Sequence, residues 1–422
     1  MTAPASGLLL DVTPLRTSRD FRLLFAARTI SIVSIGVISV AVGWQVFEIT
    51  GSSWHVGLVN LCLAVPMTMG LMVGGVMADR FDRRRLIVSS RSVYVLVAAL
   101  FLINTLLPQP QLWIIYLAST IAGAINGISA PALMAAMPSL VQRAQLAAAG
   151  ALITVSSQAG AMLGPSLAGI TIGAWGLTAC YVIVAVGAIL TPLLLSRMQP
   201  LPAGPGVPLG PIAAARESWH FTRTHHVVGA LLLLEIPVAL FASPGSLFPE
   251  LASSRFAGAS LPWSSRLMDG AIVAGWLYSA PAAGAFLSSL LSGWTGRTRD
   301  AGAMLVLTTV LWAVGTIGLG VASTALAAVI ALTVAGAGRA LSEILRRALL
   351  QSHTPDGLQG RVGSLWLIQA VVLPSLGMAL AGAAAQWLPP HRVVTVSGCL
   401  ALIGTVVIVL AFPALRREGQ PS

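Results

Sequence analysis

The sequence predicts an all-α membrane protein with twelve transmembrane helices in two pseudo-symmetric six-helix bundles. Of its 422 residues, 56% are hydrophobic and 9% are charged, and the mean hydropathy is +0.87. A water-soluble protein needs many more charges to cover its surface, so the main solvent of this chain must be lipid. Long apolar runs recur along the chain, and a proline- and glycine-rich stretch divides them near its middle.

The apolar runs are long enough to cross a bilayer. A helix that crosses a hydrocarbon core of about 30 Å needs about 20 residues. Charged residues and Pro/Gly breaks separate the runs into twelve spans. We predict spans one to six at Phe21–Phe47, Trp54–Ala78, Leu86–Leu107, Leu112–Met137, Gln145–Ile172 and Trp175–Leu195. We predict spans seven to twelve at Val227–Leu251, Gly270–Trp294, Ala301–Val321, Thr324–Leu350, Leu358–Trp387 and Val393–Phe412.

The middle of the chain indicates a linker between two halves. The stretch "MQPLPAGPGVPLGP" interrupts the hydropathy after span six and is too rich in proline and glycine to fold alone. We therefore predict an N-terminal bundle at 1–196, a cytoplasmic linker at 197–226 and a C-terminal bundle at 227–422. The halves also echo each other, since "AGAINGIS" at Ala122 and "AGAGRALS" at Ala335 lie 213 residues apart. The same offset relates Gly164 to Gly377 and Gly169 to Gly382.

The arginines predict the orientation of the spans. Loops on one side hold most of them, and the opposite loops hold only three, at Arg255, Arg266 and Arg392. By the positive-inside rule both termini and the linker are cytoplasmic. No cleavable signal is expected, since the apolar stretch near the N-terminus is too short. We predict a multi-pass protein of the bacterial inner membrane. The net charge of +11 does not indicate nucleic acid, because the arginines form no single basic face.

No pattern in the sequence indicates an enzyme. There is no nucleotide-binding loop, no nucleophile–base pair and no cofactor fingerprint, so neither a cofactor nor a catalytic residue is predicted. Cys62, Cys180 and Cys399 lie inside apolar runs without the spacing of metal ligands. No metal site is expected.

The loop between spans two and three carries a recognisable motif, "GGVMADRFDRRR" from Gly74 to Arg85. Here the chain resembles the major facilitator superfamily, whose signature loop is a glycine, an Asp-Arg pair and a basic run. The matching positions are Gly75, Asp79, Arg80, Arg83, Arg84 and Arg85. The resemblance implies a latch that holds the cytoplasmic side shut, with Asp79 facing the N-terminal end of a helix in the other half. A simple basic anchor is the alternative. The matching loop of the second half keeps Gly293, Arg297 and Arg299 but has no such acid, so a latch should be asymmetric.

Span five carries "GAMLGPSLAG" from Gly160 to Gly169. This resembles the motif of the superfamily's antiporters, with Gly160, Gly164, Pro165 and Gly169 in the expected places and Ala168 where glycine is usual. The glycines permit close helix packing, and the proline bends the span. The motif favours export by antiport. A generic small-residue packing face is the alternative.

Ionisable groups within lipid are functional candidates because they are costly to bury. Arg28 in span one and Glu235 in span seven lie at similar depths. The resemblance implies that spans one, four, seven and ten line a central cavity, so the two could face each other. Glu235 is a candidate proton carrier, and a fixed ion pair is the alternative.

Span ten adds Arg339, Glu343, Arg346 and Arg347. The spacing places Glu343 on one helical face with Arg339 and Arg347. Glu343 is a second candidate proton carrier. Arg339 could meet an anionic substrate or pair with Glu343, while Arg346 and Arg347 are expected to reach the interface.

Polar residues on the expected cavity helices are further candidates. We predict that Gln45 and Asn126 join Arg28 and Arg339 in the cavity, although most polar residues there are expected to serve packing. Trp44, Ser129 and Ser243 share such positions.

Within the superfamily the chain resembles the enterobactin exporter group over nearly its whole length. The clearest matches are "TSRDFRLLFAARTISIVSIGV" from Thr17, "GLMVGGVMADR" from Gly70 and "TPDGLQGRVGSLW" from Thr354. The resemblance implies a monomeric secondary exporter that expels a siderophore in exchange for protons. A multidrug pump of the same fold, for macrolide- or tetracycline-like substrates, is the alternative. A membrane receptor that transports nothing is a third reading.

Overall fold

The computed structural model describes residues 11–201, 225–256, 258, 260–261, 264–267, 269–291 and 300–413. Within these ranges eleven helical segments are long and apolar enough to cross a membrane. A short helix, Thr13–Thr17, precedes them. The predicted linker falls almost wholly outside the described residues, so the domain boundaries stay a prediction.

The first four spans agree with the predicted positions to within a few residues. Spans one to four are the helices Arg19–Thr50, Ser53–Arg80, Arg83–Leu106 and Leu112–Leu140. Ser18 starts span one, since its side chain accepts the backbone N–H of Phe21 at 3.2 Å. Gly51 ends the same span with a φ of +62°, a left-handed conformation that favours glycine.

Spans five and six form one hydrogen-bonded segment, Leu146–Leu195, which turns back on itself. A straight helix of 50 residues would be about 75 Å long, more than twice the thickness of the hydrocarbon core. Gly176 breaks it with a φ of +80° and a ψ of 176°, which a residue with a side chain rarely adopts. Cys180 then donates its thiol to the carbonyl of Ala168 at 3.5 Å. The segment therefore crosses twice, and the structure has the predicted twelve spans.

Span seven differs from the predicted continuous helix. It consists of the helix His226–Phe241, a break, a 3₁₀ turn at Gly245–Leu247 and the helix Phe248–Ser254. Pro244 lies in the break, and a proline disfavours helical backbone at the residue before it. Two side chains replace lost backbone bonds. The Trp312 indole N–H donates to the Ala242 carbonyl at 3.1 Å, and the Tyr278 hydroxyl donates to the Gly245 carbonyl at 2.9 Å.

The remaining spans follow the prediction. Spans eight to twelve are the helices Gly270–Leu290, Ala301–Val321, Ala325–Ser352, Asp356–Ala384 and Pro390–Ala411. Between spans seven and eight lies a small antiparallel hairpin of Ser260–Leu261 and Ser264–Leu267. That hairpin is the one departure from an all-α fold within the described ranges.

The 213-residue repeat is visible in how its glycines pack. Gly123 of span four meets the Leu63 carbonyl of span two, and Gly336 of span ten meets the Pro281 carbonyl of span eight. The contact between spans two and four in the first half thus corresponds to the contact between spans eight and ten in the second.

Glycines of spans five and eleven repeat this correspondence. Gly164 packs on the Val33 carbonyl of span one, while Gly377 packs on the Leu240 carbonyl of span seven. Gly169 and Gly382 each contact the other half, at Ala271 of span eight and at Ser53 of span two respectively. The two halves are therefore related in packing as well as in sequence.

The halves meet at one end of the molecule, which we call the Ser53 end. Ser53 donates its hydroxyl to Oε2 of Glu250 at 2.5 Å, joining spans two and seven. Farther along, the hydroxyls of Ser166 and Ser279 lie 2.8 Å apart and join spans five and eight. These two side-chain hydrogen bonds join the halves.

The opposite end, which we call the Asp79 end, is open between the halves. A Cβ added at Gly75, Gly150 or Gly363 would meet no other group within 4 Å. These glycines belong to spans two, five and eleven, the same helices that carry cross-half contacts at the Ser53 end. The described residues thus form a cleft that opens at the Asp79 end.

We predict that Gly164→Ala destabilises the protein. A Cβ there would lie 2.7 Å from the Val33 carbonyl oxygen and 2.8 Å from the Gly36 Cα, so spans one and five must separate. Overpacking of this kind costs about 1–3 kcal/mol. The midpoint of thermal unfolding of the purified protein should fall.

Gly150→Ala is the matched control, on the same helical segment but in open space. Replacing a helical glycine by alanine gains about 1 kcal/mol of helix propensity, so its midpoint should hold or rise. Equal midpoints for the two variants would contradict the close contact of spans one and five.

Candidate functional site

A cavity of about 610 Å³ opens within the N-terminal half. Its walls come mainly from spans one, two, three and four, with Tyr278 of span eight and Met378 of span eleven towards the Ser53 end. Most of the lining is apolar, including Met67 and Met134, whose flexible thioether chains adapt to different shapes. The volume falls within the range of small-molecule sites.

The polar part of the lining is cationic. Arg28 from span one and Arg91 from span three both line the cavity, and no described lining residue is a carboxylate. The other polar lining residues are neutral: Ser31, Ser39, Asn60, Tyr94, Ser119, Asn126, Tyr278 and Thr191.

Arg91 is held by neutral partners. Its Nη1 donates to the Ser31 hydroxyl at 3.3 Å and to the Asn126 Oδ1 at 3.2 Å. Arg28 lies one helical turn before Ser31 and lines the same cavity as Arg91. Arg28 makes no hydrogen bond to any described group through its buried Nε. Among the described residues, neither arginine forms an ion pair with a carboxylate.

Sequence reasoning missed Arg91. It treated the arginines near span three as loop residues, although Arg91 lies inside the predicted span Leu86–Leu107. An arginine this far inside an apolar run is itself a signal of function. Of the predicted cavity residues, Arg28 and Asn126 do line the cavity.

The C-terminal half contains a buried ion pair. Arg346 of span ten contacts the carboxylate of Glu235 of span seven, and both side chains are almost completely buried. The Arg346 Nε and Nη2 have no hydrogen-bond partner among the described groups. A charge buried this deeply depends on its partner.

Two expectations about these residues were wrong. Glu235 does not face Arg28, because its partner is supplied from span ten within its own half. Arg346 does not reach the interface, since only 1% of its side chain is exposed. The position of Arg346 along span ten sets its depth in the membrane, but its side chain points towards Glu235 of span seven.

The remaining charges of span ten are exposed. Arg339 lies with its guanidinium 5.5 Å from the ring centre of Trp312, and Arg347 lies 5.2 Å from that of Trp366. Such cation–π contacts stabilise an arginine without an acid. Glu343 forms no ion pair with Arg339 or with any other described residue. The expected Arg339–Glu343 pair is therefore not formed, and neither residue lines the cavity of the N-terminal half.

Gln45 lies in the core of the N-terminal half and not in the cavity lining. Its amide oxygen accepts from the Tyr181 hydroxyl at 2.6 Å, and its amide nitrogen donates to the Thr105 hydroxyl at 3.2 Å. The side chain points between spans three and six, because those helices supply its hydrogen-bond partners. The cavity expectation for Gln45 is corrected accordingly.

The loop after span two lies at the open end. Asp79 and Arg80 are exposed, and Gly75 contacts nothing across the cleft. Arg83 donates to the Ala135 carbonyl at 3.2 Å, and Arg84 donates to the Ser196 carbonyl.

Arg83 and Arg84 therefore fasten their own half. The counterpart residues Gly293, Arg297 and Arg299 lie outside the described residues. In this conformation Asp79 forms no ion pair with the described part of the other half.

The span-five motif packs on two neighbours. Gly160 meets Ile32 and Gly164 meets Gly36, both in span one, while Gly169 meets Gly275 in span eight. The motif thus joins a contact within the N-terminal half to a contact between halves. A packing face that only held the N-terminal half together would contact span one but not span eight.

Known proteins resemble the chain over almost its full length. The family model described as transmembrane secretion effector matches residues 11–420. The enterobactin exporter EntS of Salmonella paratyphi A is 34% identical over 416 residues, covering 98% of this chain and 97% of that protein. The enterobactin exporter EntS of Citrobacter koseri is 33% identical, covering 98% and 96%.

Solved structures agree on the fold. A POT family transporter crystallised with a thioalcohol-conjugated peptide has a TM-score of 0.73 and 13% identity, covering 94% of this chain and 96% of that one. The POT family transporter PepTSo has a TM-score of 0.71 at 13% identity, covering 95% and 99%. At such low identity the likeness concerns the fold alone. With its twelve spans, paired halves and whole-length family match, the chain belongs to the major facilitator superfamily, in its transmembrane secretion effector family.

Proposed function

We propose that this protein is a secondary exporter that expels a siderophore of the enterobactin type in exchange for protons. The observation that carries the proposal is a cationic cavity open at one end of a two-half transporter fold. Iron-free catechol chelators are aromatic, and a nearby arginine favours ionisation of their weakly acidic hydroxyls, which suits a largely apolar cavity with two arginines and no carboxylate in its described lining. The names of the relatives support the same cargo.

The Asp79 end is proposed to face the cytoplasm. Arg80, Arg83, Arg84 and Arg85 cluster there, and basic loops stay on the cytoplasmic side. The protein would then lie in the bacterial inner membrane with both termini inside, working as a monomer. On this orientation the cleft opens inward, where an exporter loads its substrate.

The latch is proposed to act in the opposite conformation. Asp79 is exposed, and a Cβ at Gly75 would meet no described group within 4 Å, while the Asp79 end is open. When the halves rock together there, glycine allows the close approach of spans two and eleven, and Asp79 meets a helix N-terminus of the other half.

The buried pair Glu235–Arg346 is proposed to couple the pump to protons. Protonation of Glu235 would leave Arg346 as an unpaired buried charge, which costs about 3–5 kcal/mol. Spans seven and ten must then move so that the arginine regains a partner or water. Proton binding thereby biases the conformation. One proton that crosses 100 mV supplies about 2.3 kcal/mol, enough for a roughly fiftyfold gradient of a neutral substrate.

Deleting the gene should abolish most release of catechol siderophore during iron starvation. The expected measurement is the siderophore concentration in the medium and in the cells, which should fall outside and rise inside. A strain that releases siderophore normally but becomes sensitive to macrolides or tetracyclines would instead favour the multidrug pump. Everted vesicles that take up no candidate compound under a pH gradient would favour a protein that transports nothing.

Asp79→Asn should slow export while membrane insertion stays normal. A carboxylate at a helix N-terminus is worth about 1–2 kcal/mol in favourable geometry, or a five- to thirtyfold shift between two states at about 1.4 kcal/mol per tenfold. Flux into everted vesicles, normalised to protein in the membrane, measures this effect.

Asp82→Asn is the control for Asp79→Asn. Asp82 accepts the Arg85 backbone N–H at 2.8 Å and only starts span three, so flux should be nearly unchanged. Full flux in Asp79→Asn would remove the latch.

Glu235→Gln should uncouple proton movement from substrate movement. Substrate-induced alkalinisation or acidification of proteoliposomes reports the coupling. Because the single change leaves Arg346 unpaired, the variant Glu235→Gln/Arg346→Met tests coupling in a neutral, folded background.

Glu343→Gln, at an exposed position of span ten, serves as the comparison for Glu235→Gln. It should keep substrate-induced proton flux. If Glu343→Gln loses that flux and the neutral double variant keeps it, Glu343 and not Glu235 carries the proton.

A further inference from the structure

The two halves treat their buried cations differently. In the C-terminal half Arg346 is paired with Glu235. In the N-terminal half Arg28 and Arg91 face a common cavity, where the described lining offers them no carboxylate. Membrane-embedded arginines normally pair with an acid or face a ligand path.

We propose that Arg28 and Arg91 form an anion site that binds the acidic head of the cargo, and that Arg91 determines the selectivity for negative charge. This deepens the proposed function and rests on it for the identity of the cargo. The ligand class is an aromatic anion, either a catechol ionised at one hydroxyl, as in an enterobactin-type siderophore, or an aryl carboxylate, with its ring against the apolar wall.

The hydrogen bonds of Arg91 orient it for such a ligand. Ser31 and Asn126 both contact Nη1, so the other nitrogens of the guanidinium are available to a second partner. Because both acceptors are neutral, they fix the side chain without cancelling its charge. A planar guanidinium held in this way suits a carboxylate or catecholate, which can accept two parallel hydrogen bonds.

Arg28 completes the site from span one. Because both arginines line the same cavity, an anion bound there meets two positive charges and should bind more tightly than a neutral molecule of equal shape. The same two arginines would repel a cationic drug. The apolar lining around the arginines, which includes Ile32, Leu63 and Met134, is suited to an aromatic body.

The test uses a matched pair of ligands on the full-length protein in lipid nanodiscs. The probes are 2,3-dihydroxybenzoate and 2,3-dihydroxybenzamide, which differ in charge and hardly in shape, and calorimetry gives each affinity. The wild type should prefer the acid by about tenfold or more. Arg91→Gln should weaken binding of the acid by about tenfold, while the amide stays within about twofold.

Asn126→Asp is the decisive second variant. It places a carboxylate at the position of the Oδ1 that now lies 3.2 Å from Arg91, so it cancels the charge while the arginine remains. Preference for the acid should be lost as in Arg91→Gln, whereas Arg91→Lys should keep part of it. Arg143→Gln, at an exposed arginine outside the cavity, should bind both probes as the wild type does.

The anion site would be overturned if the wild type bound the acid and the amide with equal affinity. It would also be overturned if Arg91→Gln and Asn126→Asp both kept an affinity for the acid within about twofold of the wild type. Failure of the proposed function has a different signature. In that case the gene deletion leaves siderophore release unchanged, while the charge preference of the purified protein and its loss in the variants persist.

Discussion

Removing charge from water is the constraint on which the rest of this structure depends. A guanidinium or carboxylate within the hydrocarbon core must have a partner, and the chain solves this problem differently in its two halves. Glu235 and Arg346 compensate each other across spans seven and ten. Arg28 and Arg91 instead face a cavity and neutral hydrogen-bond acceptors. The fold therefore separates a closed ion pair from an open cationic site, as the proposed exchange of protons for an acidic substrate requires.

Backbone contact at small residues makes this separation possible. Apolar side chains gain nothing by leaving lipid for each other, so membrane helices associate through close packing. Gly164 lies directly on span one and Gly169 on span eight, so one helix holds its own half together and also joins it to the other. Gly377 and Gly382 do the same in the second half. Rocking of the halves can then proceed about these contacts while each half keeps its interior.

In the conformation seen here the two ends of the molecule differ. At the Ser53 end the halves are joined by Ser53–Glu250 and Ser166–Ser279, whereas at the Asp79 end glycines of three spans face open space. Glycine in open space gains no packing benefit and costs helix propensity, so the latch proposed for the opposite conformation would give Gly75, Gly150 and Gly363 a role. The break in span seven lies beside the closed end, and its carbonyls are held by Trp312 and Tyr278.

The sequence by itself determined what depends on local composition. Hydropathy gave twelve spans, the glycine and proline pattern gave the two halves, and the motifs near Asp79 and Gly164 identified the family. Arg28 and Asn126 could be assigned to the cavity from their spans, but Arg91 was overlooked inside one. Only the tertiary structure decided that Glu235 pairs with Arg346, that Gln45 points into the core and that span seven is broken. The spacing of apolar residues and the depth of a residue in the membrane are properties of a single helix. The direction in which a helix turns each side chain, and the partner of a buried charge, depend instead on the neighbouring helices.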